Sequence, residues 1–208
     1  MNTETLVKIR HIQRRVLDGM VRSNPSLGLD ARAEYFAGLF NPYLDPHSRV
    51  LDIGGGWGFY AAPLEKRGHT CTVLDVVKPG YQKAPVVIYD PAHPMPFPDK
   101  SFDVSMLVTV LHHVADPVAV LREAKRVTRK TLIVVEDLYH HGLGRAWTIL
   151  RDQIYNFEFF GHPCQFRKRQ EWLDFFKAQG FEAVHDESVY TWMAGLRILN
   201  GIFILRVP

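Results

Sequence analysis

The chain has few cysteines and no long apolar stretch. Its 208 residues include only Cys71 and Cys164, too few for a disulfide framework, which favours a reducing compartment. No apolar run reaches the roughly 18 residues that a membrane span needs, and the charged N-terminus differs from a secretory signal. We therefore expect a cytoplasmic protein without a membrane span.

The chain also has little excess of positive over negative charge. The net charge of +3 is mild and no long basic run stands out, so no nucleic-acid partner is expected. A helix predicted over residues 4–21 has a basic face, which we interpret as solvated, with contact to a membrane surface or an acidic partner as the alternative. The composition is that of a globular protein, and the length suits a single domain over residues 1–208.

The chain is organised around a glycine-rich turn. Residues 50–60 read Val-Leu-Asp-Ile-Gly-Gly-Gly-Trp-Gly-Phe-Tyr, which indicates a buried strand, a tight turn and the start of a helix. Glycine suits a turn that needs positive φ or that lets a ligand approach the backbone. In an open α/β sheet such a turn lies at the carboxyl end of a strand, where ligands bind.

Two ligand-binding patterns compete for this turn. The dinucleotide fingerprint requires glycine at its first, third and sixth positions, but the sixth position counted from Gly54 is Phe59. The pattern Asp-x-Gly-x-Gly-x-Gly is matched in full, by Asp52 and three glycines. It predicts a ligand other than a dinucleotide.

A second acid supports an adenosine-containing ligand. Asp75 ends the next predicted strand, 21 residues after Gly54. An acid at that distance can accept hydrogen bonds from both ribose hydroxyls.

These features resemble the class I S-adenosylmethionine-dependent methyltransferases. The glycine pattern resembles their motif I, and a Pro-Phe pair ahead of Ser-Phe-Asp and a Leu-His-His sequence after the fourth strand are similar to small members of the family. The resemblance implies S-adenosylmethionine as the cofactor. The cofactor-binding positions that we predict are Asp52, Gly54, Gly55, Gly56, Gly58, Asp75, Val76, Asp90, Pro91, Val108 and His113.

Strands and helices alternate five times between Val50 and Asp137, which predicts a parallel sheet with helices on both faces. Strands predicted at 181–189 and 202–207 complete the sheet, and the resemblance implies that they form a hairpin. The expected fold is therefore α/β and Rossmann-like, a doubly wound, seven-stranded, mostly parallel sheet with one antiparallel strand. We divide the chain into N-terminal helices (1–45), a cofactor-binding core (50–137), a helical and aromatic cap (138–166), and a last helix with the C-terminal hairpin (167–208).

Histidines that follow the fourth and fifth strands are the candidates for catalysis. His112, His113 and His140 are predicted to lie at the ligand end of the sheet, where an imidazole can take a proton from an acceptor. Glu136 and Asp137 end the fifth strand and could orient a substrate amine or hydroxyl. Because no spacing resembles a zinc motif, no metal is predicted.

The acceptor is predicted to be small. Aromatic residues crowd between positions 155 and 166, which predicts a cap over a planar or hydrophobic molecule, with a purely structural cap core as the alternative. After the fourth strand the sequence is Thr-Val-Leu-His, whereas methyltransferases of base amino groups carry Asn/Asp-Pro-Pro-Tyr. We therefore predict O- or N-methylation of a small aromatic or hydrophobic molecule. The alternatives are a non-enzymatic module that binds S-adenosylmethionine or a partner, and an NAD-dependent oxidoreductase.

Overall fold

A computed structural model describes residues 28–156 and 163–208, together with Val16, Asp18, Gly19 and Val21. Most of the helix predicted over residues 4–21 and the aromatic residues predicted for the cap at 157, 159 and 160 lie outside the described residues.

The helices that concern the site lie on both faces of a central sheet. They are α1 (Leu29–Phe40), α2 (Ala61–Glu65), α3 (Pro117–Val127), α4 (Gly142–Asn156) and α5 (Arg169–Ala178). Within the described ranges, no helix has the length and apolar character to cross a bilayer.

The sheet has seven strands in the order β3-β2-β1-β4-β5-β7-β6. They are β1 (Arg49–Ile53), β2 (Thr70–Asp75), β3 (Val86–Ile88), β4 (Phe102–Val108), β5 (Thr128–Asp137), β6 (Glu182–Met193) and β7 (Leu196–Arg206). Neighbours among the first five are parallel, whereas β7 is antiparallel to both β5 and β6. The predicted Rossmann-like fold with one antiparallel strand is confirmed, while the division into four segments stays a prediction.

The strand order reverses at β1. This strand pairs with β2 on one side and with β4 on the other, so the connections leave it in opposite directions. A crevice opens at such a switch point, beyond the carboxyl ends of the strands. The fold therefore places the glycine turn after β1 beside the segment that follows β4.

Two apolar layers hold the helices against the sheet. On one face α3 and α5 pack with Leu121, Trp172 and Phe176 among the buried side chains. On the other face α1 and α2 bury residues such as Phe36 and Leu64. Full burial of each such side chain stabilises the fold by about 1.5–3 kcal/mol, so the sheet is a fixed platform for the residues at its carboxyl edge.

The C-terminal hairpin is longer than the sequence predicted. β6 continues to Met193 and β7 begins at Leu196, so residues 190–193 and 196–201 are strand where we expected a connection. Ala194 and Gly195 join the strands with φ of 47° and 77°, the two-residue turn whose twist matches a hairpin. The prediction was wrong because the turn carries Ala-Gly, whereas the Asn-Gly pair that usually marks such a turn stands at residues 200 and 201, inside β7.

Helix α4 presents its polar face to the protein. Four apolar residues at helical spacing predict an amphipathic helix here, and the structure has one, but these side chains are exposed: Leu143, Trp147, Leu150 and Ile154. The buried residues are Thr148, Arg151 and Asp152. Because an apolar stripe normally faces the core, this orientation is unusual, and it brings a cation and an anion to the carboxyl edge of the sheet.

Candidate active site

A cavity of about 700 Å³ lies at the carboxyl ends of the parallel strands. One part, the loop half, is lined by the glycine turn and by the residues that follow β2 and β3. The other, the charged half, is lined by buried polar side chains from α1, β5 and α4 and by the partly buried Tyr60 just before α2. Residues of the loop half include Gly54, Gly55, Gly56, Asp75 and Pro91, and residues of the charged half include Arg32, Tyr60, Asp137, Arg151 and Asp152.

The glycine turn closes tightly against the neighbouring strand. The amides of Gly54 and Gly55 both donate to the carbonyl of Leu74, at 2.7 and 3.3 Å. Gly54, Gly56 and Gly58 have φ of 70°, 55° and 76°, a region that other residues rarely adopt. The glycine pattern is therefore required by the backbone, which itself forms the cavity wall.

Gly55 is required for a different reason. A Cβ at this position would lie 2.3 Å from Asp52 Oδ2, so any side chain would collide with that carboxyl group. Asp52 is fully buried beneath the turn and does not line the cavity. Neither of its oxygens has a hydrogen-bond partner in the described part of the chain. Burial, with repulsion from Asp75 added, raises the pKa of Asp52 to about 8, so this acid is neutral at pH 7.

Asp75 joins the end of β2 to the glycine turn. Its Oδ2 accepts from the amide of Gly56 at 2.9 Å, and its Oδ1 accepts from the amide of Val77 at 3.0 Å. Each carboxylate oxygen has a further lone pair, and the residue lines the cavity. This geometry leaves Asp75 able to accept the two hydroxyl hydrogen bonds that we predict for it.

The other predicted cofactor positions divide into two groups. Those that line the cavity are Gly54, Gly55, Gly56, Asp75, Val76, Pro91, Val108 and His113. Asp52, Gly58 and Asp90 do not: Gly58 packs against Ala84, and the exposed Asp90 accepts from the amide of Ala92 at 2.9 Å. The part of each residue in cofactor binding stays a prediction.

His112 is buried between two carboxylates. Its Nδ1 is hydrogen-bonded to Glu136 Oε2, and its Nε2 lies 3.5 Å from Asp152 Oδ1. Burial by itself lowers the pKa of His112, but attraction by Glu136 and hydrogen bonds to both acids raise it to about 10. The ring is therefore an imidazolium at neutral pH, and since it does not line the cavity, its geometry does not suit the predicted role of proton acceptor.

Of the three predicted catalytic histidines, only His113 lines the cavity. Its Nε2 lies 3.7 Å from Asp152 Oδ1 and 3.5 Å from Asn156 Nδ2. His140 is exposed and lies outside the cavity lining. The structure therefore brings one of these imidazoles to the cavity, next to an acid that the sequence did not single out.

Glu136 holds the segment after β4 instead of facing a substrate. It is fully buried, and its Oε1 accepts from the amides of Val110 and Leu111 at 3.1 and 2.7 Å. The prediction that Glu136 orients a substrate was therefore wrong, because the backbone and His112 occupy both of its oxygens. Asp137 does line the cavity.

Three side chains could together hold a metal ion. Ligand atoms of His112, His113 and Asp152 all lie within 4.8 Å of one another. A metal needs the neutral imidazole, whereas the two acids beside His112 favour its protonated form. The charges present therefore favour a hydrogen-bonded network at this position.

The sequence did not single out four residues of the charged half: Arg32, Tyr60, Arg151 and Asp152. The available signal was a charge on the inward stripe of a helix. Arg32 precedes Phe36 and Phe40 at intervals of four, so it shares their buried face. Arg151 and Asp152 gave no such signal, because α4 turns its apolar stripe outward.

Comparisons with known proteins agree with this fold. Residues 51–135 match the family model described as methyltransferase domain. The demethylmenaquinone methyltransferase of Renibacterium salmoninarum is 30% identical over 116 residues, which are 52% of this chain and 49% of that protein. The chain thus spans about half the length of this curated relative.

Solved structures share the fold over most of the chain. A SAM-dependent methyltransferase of Aquifex aeolicus has a TM-score of 0.64 at 17% identity and covers 92% of this chain and 98% of its own. The magnesium protoporphyrin IX methyltransferase of Synechocystis PCC 6803, solved with SAH bound, has a TM-score of 0.61 at 16% identity and covers 90% of this chain and 87% of its own.

Proposed function

Because the chain belongs to the class I S-adenosylmethionine-dependent methyltransferase family, we propose that it transfers a methyl group from S-adenosylmethionine to a small aromatic or hydrophobic molecule. The observation that carries the proposal is that one continuous cavity contains both parts of the site. It joins the glycine turn and Asp75, which suit the cofactor, to His113 and the charged half, which suit an acceptor.

S-adenosylmethionine supplies an activated methyl group on its sulfonium. The chain must then hold the acceptor in line and exclude water, and orientation of this kind contributes about 7–11 kcal/mol to lowering the barrier. The backbone of Gly54–Gly56 offers a wall without side chains, and Asp75 offers two acceptor oxygens for ribose hydroxyls. These features support cofactor binding in the loop half.

The lining supports an aromatic acceptor. Tyr60, Tyr155, Met193 and Ile198 give the charged half apolar and aromatic surface between its polar groups, the composition typical of small-molecule pockets. The relatives named demethylmenaquinone methyltransferase favour a quinone-like ring. O- or N-methylation of such a ring is our proposal, and the expected cytoplasmic location also stays a prediction.

His113 is the base that we propose. An acceptor hydroxyl or amine must lose a proton, and the Nε2 of His113 lies on the cavity wall near Asp152, which would stabilise the imidazolium formed. A positioned base contributes about 100- to 10,000-fold. His113→Ala should lower the transfer rate by that range, whereas His185→Ala, on β6 beside Tyr43, should leave it unchanged.

Binding and transfer are tested in sequence. Calorimetry against S-adenosylmethionine, S-adenosylhomocysteine and NAD should show micromolar binding of the first two and none of the third. Transfer from methyl-labelled cofactor is then measured with 1,4-naphthoquinol, catechol and aniline. Binding without transfer to any of the three would favour the non-enzymatic module, and binding of NAD alone would overturn the proposal.

A further inference from the structure

A network of buried polar side chains lies in the charged half, at the carboxyl end of β5. Its members, which we term the guanidinium cluster, come from six separate parts of the chain. They are Arg32, Tyr60, Asp137, Arg151, Thr191 and Asn200.

Hydrogen bonds fix the cluster around a single acid. Asp137 Oδ2 accepts from the guanidinium of Arg151, and its Oδ1 accepts from Asn200 Nδ2 at 2.6 Å. Arg32 Nε donates to Thr191 Oγ1 at 3.1 Å, and the Thr191 hydroxyl donates to Asn200 Oδ1 at 2.6 Å. The chain therefore holds both guanidinium groups in place before any ligand arrives.

The cluster has one more positive charge than negative charge. Arg32 Nη2 lies 4.0 Å from Asp137 Oδ1, so the two guanidinium groups share this carboxylate. Elsewhere in residues 28–156 and 163–208, no other acid lies within ion-pair distance of either arginine. Asp152 is next to Arg151 in sequence, but its Oδ1 accepts from Asn156 at 2.8 Å and faces the two histidines.

One donor of the cluster is unused. Arg151 and Arg32 are only 4% and 5% exposed, and both line the cavity. Arg151 Nε is buried and has no hydrogen-bond partner among the residues that the structure describes. A buried donor left unpaired costs about 1–3 kcal/mol, and more when it belongs to a charged group, so a ligand that accepts from it would recover that energy.

Tyr60 adds a neutral donor. Its hydroxyl accepts from Arg32 Nη1, and burial raises its pKa, so the phenol keeps its proton at neutral pH. That proton can be donated to a ligand oxygen. The cluster thus presents a surplus cation and neighbouring O–H and N–H donors to the cavity.

We propose that the guanidinium cluster is a carboxylate subsite that binds the acidic group of the acceptor. A planar guanidinium pairs with a carboxylate in a bidentate manner, with geometric selectivity that an ammonium lacks. The inference rests on the proposed function and narrows its acceptor to an aromatic or hydrophobic acid.

The position of Arg151 favours the acceptor over the cofactor as the source of the carboxylate. Its partner Asp137 ends β5, and β4 separates β5 from β1 in the sheet. Strands lie about 4.8 Å apart, so this end lies roughly 10 Å from the strand that carries the glycine turn. The methionine part of S-adenosylmethionine also carries a carboxylate, so the test must separate the two sources.

The test compares acids with their uncharged amides on the full chain. Acetate, benzoate, 2-hydroxybenzoate and 1-naphthoate are titrated beside their amides in calorimetry, with and without S-adenosylhomocysteine. We expect at least one acid to bind 10-fold or more tightly than its amide, a preference that Arg151→Met abolishes and Arg151→Lys reduces. Arg129→Met is the matched control, because Arg129 lies at the opposite end of β5 and pairs with Asp103.

The cofactor arm uses 5′-methylthioadenosine, which lacks the amino-acid end of S-adenosylhomocysteine. If Arg151 binds the carboxylate of the acceptor, Arg151→Met leaves unchanged the ratio of the affinity for S-adenosylhomocysteine to the affinity for 5′-methylthioadenosine. If the ratio falls 10-fold or more, Arg151 binds the carboxylate of the cofactor, and the assignment to the acceptor is overturned. If wild-type protein prefers no acid over its amide and the ratio is unchanged, the proposal is overturned.

Failure of the proposed function would look different, because the wild-type chain would then bind neither S-adenosylmethionine nor S-adenosylhomocysteine. The affinities of the acids and their amides for the unliganded protein could still be measured and compared. Should Arg151→Met fail to fold by circular dichroism, Arg151→Lys and the wild-type preference decide the outcome.

Discussion

The two halves of the cavity are built in opposite ways. In the loop half, Asp75 accepts from backbone amides 19 and 2 positions away in sequence. In the charged half, Arg32 bonds to Thr191 across 159 positions, through side chains alone. A local motif can specify the first arrangement, whereas the second exists only when the hairpin β6–β7 has docked beside β5.

The halves also treat buried charge differently. Asp52 lies beneath the glycine turn without a partner, and burial keeps it neutral at pH 7. Beside the charged half, the imidazolium of His112 lies between the carboxyl groups of Glu136 and Asp152. Replacement of the ionisable side chain by an amide should therefore destabilise the protein at His112 and stabilise it at Asp52.

The largest effect should come from His112→Gln. The variant leaves Glu136 and Asp152 buried without the cation between them, and breaking a buried ion pair costs about 3–5 kcal/mol. Urea unfolding at pH 6 measures the loss, and His185→Gln is the control that should change little.

The stability that His112 contributes should fall as the pH rises. The pKa of His112 is about 10 in the folded protein and about 6.5 in the unfolded chain. Its stabilisation is therefore complete below pH 6.5 and is lost as the pH rises through 10. The gap between wild type and His112→Gln should narrow from pH 6 to pH 10, and a gap that stays constant would show that His112 is not charged.

Asp75→Ala should have the next largest effect, on cofactor affinity. If the carboxylate accepts both ribose hydroxyls, its loss removes two charge-assisted hydrogen bonds of about 1.5–3 kcal/mol each, and we expect at least a 100-fold weaker affinity for S-adenosylmethionine. Asp90→Ala removes an exposed acid outside the cavity lining and should weaken binding less than tenfold. Unchanged affinity of Asp75→Ala in calorimetry would overturn the ribose assignment.

The same contrast explains what the sequence could predict. The glycine turn depends on residues a few positions apart, so its pattern is readable from the sequence, and the structure confirms it. The start of α3 is equally local, since Asp116 followed by Pro117 is a helix-start signal and both residues take that place in the structure. The partnership of Arg151 with Asp137 and Asn200 depends on which face α4 turns inward. Since its apolar stripe pointed to the opposite face, no local pattern could predict it.

Asp52→Asn should stabilise the unliganded protein by a smaller amount. The pKa of Asp52 rises from about 3.9 in the unfolded chain to about 8 in the folded one, so wild-type stability falls as the pH rises from 4 to 8. The amide cannot ionise and avoids this loss. We expect equal stability at pH 4 and a gain of about 2 kcal/mol at pH 8, because water and backbone relax around an ionised carboxylate and reduce the full penalty. Urea titrations at the two pH values measure the gain, and a variant less stable than wild type at pH 8 would contradict it.

The smallest effect on stability should come from the replacement of Asp116, which lies on the wall of the loop half. Its carboxylate caps α3 by accepting from the amide of Ala119 at 3.0 Å, and loss of such a cap costs about 1 kcal/mol. Asp116→Ala should lower the free energy of unfolding by that amount, whereas Asp116→Ser, which keeps a capping oxygen, should retain most of it. Because this contact is local and borders the cavity without serving the proposed cofactor contacts, affinity for S-adenosylmethionine should change less than twofold in both variants. A large loss of affinity in Asp116→Ser would mean that the carboxylate itself binds the cofactor, and the loop half would then depend on a second acid besides Asp75.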